Sequence, residues 1–172
     1  DKARLSKRHG ATSIMQYKEM GFLPEAMVNY LVRLGWSHGD QEVFSVDEMI
    51  KLFDISNVHS SAAAFNPEKL LWLNQHYIKS SDPEHVARHL NWHLGRMGID
   101  PVAGPDIVEV VKAQRERAKT LVEMAVNSAF FYRDFDGYDD KAATKHLKSE
   151  SIPALQSLRD RLDQIGEWKA EA

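Results

Sequence analysis

Three features of this 172-residue chain predict an all-α fold. Apolar residues recur at three- and four-residue spacing, the local start signals are those of helices, and runs of alternating β-branched residues are absent. The start signals are of two kinds. Asn66-Pro67 and Asp82-Pro83 each pair a side-chain cap with a proline in the first turn, where its missing N–H costs nothing. Ser45 with Glu48, and Thr120 with Glu123, have the spacing at which two side chains cap each other's backbone.

Taken in order, Pro24 opens a helix with a predicted buried stripe of Met27, Val28, Leu31, Val32 and Leu34, and Gly35 stands where a left-handed cap is wanted. The Ser45 box starts a short helix through Met49, Ile50, Leu52 and Phe53. Residues 54 to 65 mix serine, alanine and histidine without clear periodicity. Leu70, Leu71, Leu73 and Tyr77 follow Asn66-Pro67, and Val86, Leu90, Leu94 and Met97 follow Asp82-Pro83. Gly98 to Gly104, holding Pro101 and followed by Pro105, reads as the longest connector of the second half, so a subdomain boundary is expected between 81 and 104. Ile107, Val108, Val110 and Val111 make the next helix, and Leu121, Val122, Met124, Ala125, Phe130 and Phe131 the one after it, with the junction at Arg117 to Thr120. Two amphipathic segments, from Asp139 and from Pro153, are expected to complete a compact helical bundle.

Composition narrows the function. With 43% hydrophobic and 27% charged residues the chain can bury a core as one domain or two small ones. It has no cysteine, which removes disulfide and thiolate chemistry, and it has neither a bilayer-length apolar run nor a leader-like start, a combination that fits a cytoplasmic protein. A net charge of -3 lacks the basic balance of a general nucleic-acid binder, so any RNA contact must be local. Two neighbourhoods are positive: Lys2, Arg4, Lys7, Arg8, Lys18 and Arg33 near the start, and Lys112, Arg115, Arg117 and Lys119 further on. Asp134, Asp136, Asp139 and Asp140 form an acidic corner that phosphate should avoid.

The basic stretch Arg4-Leu5-Ser6-Lys7-Arg8-His9-Gly10 has the make-up of a polyphosphate-holding loop, with forked and point-charge donors, a hydroxyl and a glycine that frees the backbone. It resembles the KMSKS signature of class I aminoacyl-tRNA synthetases in its glutamyl form, with Arg4 in place of the first lysine. Asn29-Tyr30-Leu31-Val32-Arg33-Leu34-Gly35-Trp36-Ser37-His38-Gly39-Asp40 and Phe65-Asn66-Pro67-Glu68-Lys69-Leu70-Leu71-Trp72-Leu73-Asn74 resemble two further segments of the glutamyl-tRNA synthetase family. The three segments keep the family's order, whereas a short basic loop alone is a weak signal.

The resemblance implies a carboxy-terminal portion of a bacterial-type enzyme that attaches glutamate to tRNA-Glu through an adenylate, using ATP and Mg²⁺. Lys7 would grip the ATP phosphates with the other loop residues assisting. A Rossmann domain, for which no βαβ pattern is present, would carry the remaining chemistry, so the fragment alone is expected to be inactive, to hold no cofactor and to have a flexible basic amino terminus. The implied division is a loop over 1–11, a stem-contact region over 12–81, and a helical anticodon-binding region over 82–172 that lacks the family's final Pro-Leu-Arg segment. A monomer is expected. A glutaminyl enzyme would instead place β-barrels after residue 80, and a helical protein-interaction module with an incidental basic tail would share the mildly acidic charge.

Arg115, Arg117 and Lys119 are the candidate tRNA contacts, clustered where one helix ends and the capped helix begins, with side chains and backbone donors to offer; Arg117 is singled out for an anticodon-side contact. The plainer reading is that cations in a last turn simply suit the helix dipole. His85, His89 and His93 recur every four residues, a spacing some metal sites use, but no cysteine or convergent carboxylate completes a set and no metal is expected. Trp36, Trp72, Trp92, Trp168, Phe130, Phe131, Tyr132, Phe135 and Tyr138 could stack on bases, though most are expected in the core, with Tyr132 and Tyr138 the more exposed.

Overall fold

Each start signal read from the sequence caps a helix. Ser45 and Glu48 bond reciprocally, Glu48 N–H to Ser45 Oγ at 3.1 Å and Ser45 N–H to Glu48 Oε2 at 2.7 Å. Asn66 accepts from Lys69 N at 3.1 Å and Asp82 from Glu84 N at 3.1 Å, each with proline in the first turn. Thr120 accepts from Glu123 N at 3.1 Å, but Glu123 reaches back to Lys119 N at 2.8 Å rather than to Thr120, so this box closes one residue early.

The structure is a computed structural model that describes residues 13–59 and 64–166. Its helices are α1 (Ile14–Glu19), α2 (Pro24–Arg33), α3 (Val46–Leu52), α4 (Pro67–Ser80), α5 (Pro83–Arg96), α6 (Ile107–Gln114), α7 (Leu121–Ser128), α8 (Asp140–His146) and α9 (Ile152–Leu162). Short 3₁₀ turns link several of them, and no strand occurs among the described residues. The chain divides into two units at Arg133. Loop residues 4 to 10 lie outside the described residues.

In the first unit α5 packs on α6 and α7 while α2 packs on α4. The stripe Val86, Leu90 and Leu94 is fully buried at the centre, among Leu23, Leu70, Ile78, Val111, Leu121 and Met124. Full burial of one such side chain stabilises by roughly 1.5–3 kcal/mol. A smaller cluster of Trp36, Phe44 and Met49 sits against Val32 and Leu52. Asn29, fully buried, fastens the segment between: its Oδ1 accepts from Phe44 N at 2.7 Å and from the Tyr77 hydroxyl at 2.8 Å, and its Nδ2 donates to Glu42 O at 3.0 Å. Burial pushes the Tyr77 phenol up to about 12.

Three expectations are corrected. The buried face of α2 is Ala26, Met27, Asn29 and Tyr30, while Val28 and Leu31 are about half exposed, because buried amide and phenol groups hold that face inward. Gly35 has no positive φ; its carbonyl accepts from His59 N at 2.7 Å and a Cβ would meet Val58 Cγ1 at 3.3 Å, so the glycine admits a neighbouring segment rather than capping the helix. In the second unit the stripes of α8 and α9 are only partly covered: no residue of either helix is fully buried.

Candidate nucleic-acid interface

The turn joining α6 to α7 is built from its anchors outward. Val110 and Val111 hold α6 in the core and Ala118 holds the turn, at 1% exposure. Arg115 N–H donates to Val111 O at 2.8 Å, Arg117 N–H to Gln114 O at 3.0 Å and Ala118 N–H to Gln114 O at 3.2 Å. Arg117 and Lys119 flank the buried alanine and are exposed, with Arg115 half-buried at the end of α6. The three predicted cations are thus brought together on one turn.

Among the described residues none of the three side-chain cations is in a salt bridge, whereas Lys112 is paired with Glu109 at 2.7 Å and Glu116 with Lys79 at 3.2 Å; the Glu123 carboxylate lies at the turn but bonds the Lys119 backbone N at 2.8 Å. The exposed pairs contribute little stability, so their main effect is to take Glu116 away from the arginines. Backbone donors are another matter. Lys119 N is taken by Glu123, Leu121 N by Gly21 O at 2.9 Å, and Glu123 N by Thr120, so what the turn offers an RNA is side chains, not a free helix N-terminus.

The other positive neighbourhood is less available. Of its described members, Arg33 is held by Glu42 at 3.1 Å, with Lys69 on the same carboxylate at 2.7 Å, and these cations lower the Glu42 pKa, Lys69 foremost. Lys18 lies over the Trp92 ring at 4.3 Å, and Arg96 is 5.0 Å from it. Sequence reading did not find this cation–aromatic cluster, because Lys18 and Trp92 are on helices far apart in the chain. The groove beside it, about 460 Å³, is lined mainly by apolar side chains such as Ile14, Met15, Phe22 and Leu31, with Lys18, His89 and His93 on its wall.

The histidines of α5 follow one edge, with the His85 and His89 rings 4.9 Å apart and His89 and His93 lining one groove, but they differ in setting. His85 Nε2 lies 2.7 Å from Glu25 Oε1, while His93 is only 5% exposed and burial lowers its pKa to about 4. Among the described residues no three His, Asp or Glu side chains converge on a metal position. Of the aromatic candidates, Trp36 is buried, but Trp72 is half exposed and Phe130 largely so, contrary to their expected place in the core. Tyr138 is exposed, as expected, whereas Tyr132 is half-buried and its hydroxyl has no partner among the described residues. Trp168 lies outside the described residues.

The described residues are helical and carry a cation-presenting turn, and comparison with known proteins defines the class of the chain. Residues 84–172 match the anticodon binding domain family, and residues 1–72 match the class I tRNA synthetase catalytic domain of the E and Q type. The chain belongs to the anticodon-binding-domain family. It is 64% identical over its whole length to glutamate–tRNA ligase 1 of Nitrosococcus oceani and 60% identical to glutamate–tRNA ligase 1 of Alkalilimnicola ehrlichii. It covers 37% and 36% of those relatives, little more than a third of their length. A crystal structure of a glutamate tRNA ligase from Elizabethkingia meningosepticum, in complex with its amino acid, superposes with a TM-score of 0.75 at 29% identity, over 96% of this chain and 36% of that one. Glutamate-tRNA synthetase from Elizabethkingia anophelis gives 0.64 at 27% identity, over 98% and 40%. No described helix is long and apolar enough to cross a membrane.

Proposed function

We propose that this chain is the tRNA-recognition part of a glutamate–tRNA ligase, the whole enzyme joining glutamate to tRNA-Glu at the expense of ATP. The observation that carries the reading is the α6–α7 turn, which offers Arg115, Arg117 and Lys119 with no ion pair to any of the three side chains among the described residues, inside the stretch matched by the anticodon-binding family. Arginine forks suit phosphate oxygens and base edges, and in a chain of net charge -3 such a local cluster is where an anion can be held. Arg117 is assigned the anticodon-side contact. Residues 12–81 are assigned to the tRNA stem and 82–172 to the anticodon side. Lys7, in the stretch Arg4-Leu5-Ser6-Lys7-Arg8, is assigned to the ATP phosphates of the whole enzyme by resemblance.

Titration of labelled tRNA-Glu at low salt tests this. Arg117→Ala should weaken binding by about tenfold and reduce the slope of log K against log salt by about one. Unchanged affinity and slope would refute the assignment, and absent binding by the native chain would favour a protein-interaction module or show that the rest of the enzyme is indispensable for binding.

A further inference from the structure

Asn74 closes the third of the sequence segments that identify the family, and in the structure it sits under the candidate interface. It is fully buried, and its amide is used on both sides. Oδ1 accepts from Leu23 N at 2.8 Å, while Nδ2 donates to Lys119 O at 2.7 Å and to Gly21 O at 3.2 Å. Gly21 O also accepts from Leu121 N at 2.9 Å. One side chain on α4 therefore ties the turn between α1 and α2 to the turn between α6 and α7.

Gly21 makes the approach possible. Its φ of 87° is a left-handed conformation open to glycine, and a Cβ there would come within 2.5 Å of Val122 N and 2.7 Å of Leu121 N, both backbone atoms. A buried primary amide with its donors and acceptor all paired holds a geometry more firmly than apolar packing does, because any displacement strands a polar group away from water. The carbonyl it grips most closely belongs to Lys119, itself one of the exposed cations, two residues from Arg117.

We propose that Asn74 is a positioning residue for RNA recognition: by pinning the Lys119 carbonyl to the Gly21–Leu23 turn, it fixes the backbone from which Arg117 and Lys119 reach the tRNA. This inference rests on the turn being a tRNA contact. The fixed backbone spares the RNA the entropic cost of ordering the turn, so the arginine contributes its full contact energy only while the tie is intact.

A double-mutant cycle on the full chain separates positioning from plain stability. Asn74→Ser should weaken tRNA-Glu binding by about five- to tenfold at a temperature where circular dichroism gives native helix content, and should cost less than about twofold once Arg117 is already alanine. Gly21→Ala breaks the same tie from the other side and should behave alike. If Arg117→Ala leaves binding unchanged, the tRNA reading itself fails. If it weakens binding, but Asn74→Ser either lowers only the melting temperature or costs the same in both backgrounds, Asn74 is structural and the proposal is overturned. Should neither tie variant fold, the native chain still decides: the Leu121 amide should exchange slowly without RNA and hardly change on adding tRNA-Glu. An amide protected only in the complex would mean that the turn orders on binding, which would overturn pre-positioning.

Discussion

Residues 13–133 and 134–166 are both helical, yet they are held differently. Every buried residue among those described belongs to the first region, and there caps, apolar stripes and buried amides converge on the same elements. In the second region α8 and α9 have start signals and little else: Asp139 caps through Ala142 N at 2.8 Å, while Leu155, Leu158 and Leu162 are 49%, 52% and 36% exposed. Capping defines where a helix begins, but helices this short owe most of their stability to burial. The contrast also bears on function, since the proposed RNA turn lies in the first region, where the backbone is fixed from several sides.

The largest test of that contrast is a truncation at the centre of α5. Leu90 is fully buried among the core stripes, so Leu90→Ala removes its transfer energy and leaves a cavity, at a cost of about 3 kcal/mol. Urea unfolding followed by circular dichroism should place the loss near that value. A loss under about 1 kcal/mol would mean the core is looser than its burial implies.

How much of this was legible in the sequence depended on distance along the chain. Ser45 with Glu48, Asn66-Pro67, Asp82-Pro83 and Thr120 act on backbone within three residues, so spacing alone located the helix starts. Arg115, Arg117 and Lys119 were legible as a cluster for the same reason. The polar ties were not: Asn29 meets Phe44 and Tyr77, and Asn74 meets Leu23 and Lys119, across 15 to 51 residues, and a lone asparagine in an apolar helix carries no mark of its partner. Gly35 went astray likewise, because what decides it is a segment packed against it, not its own helix end.

A pH dependence of intermediate size follows from the buried histidine of the first region, His93. His93 ionises at 6.5 in an ordinary setting but only at about 4 here, through burial first and then the charges of Arg96, His89 and Lys18. Glu19 lines the same cavity and is paired with Arg96 at 3.9 Å. The unfolded chain therefore binds a proton that the folded chain refuses between pH 6.5 and about 4, so the stability contribution of neutral His93 is present above pH 6.5 and is lost on acidification through that window. The melting temperature should fall across it, and His93→Gln should make the fall shallower. Parallel curves for the two proteins would rule out His93 as a source of the slope.

The smallest effect should come from repeating the leucine truncation in the second region. Leu158 on α9 keeps 52% of its surface in water, so shortening it to alanine surrenders little buried area, and alanine's better helix propensity offsets part of the loss. Leu158→Ala should shift stability by no more than about 0.5 kcal/mol, against about 3 kcal/mol for the same change at Leu90. The ratio of the two matters more than either value, because both remove identical atoms and differ only in surroundings. Comparable losses would mean that the Leu158 side chain is covered when the protein is in solution, and α9 would then belong with the tightly held elements of the first region.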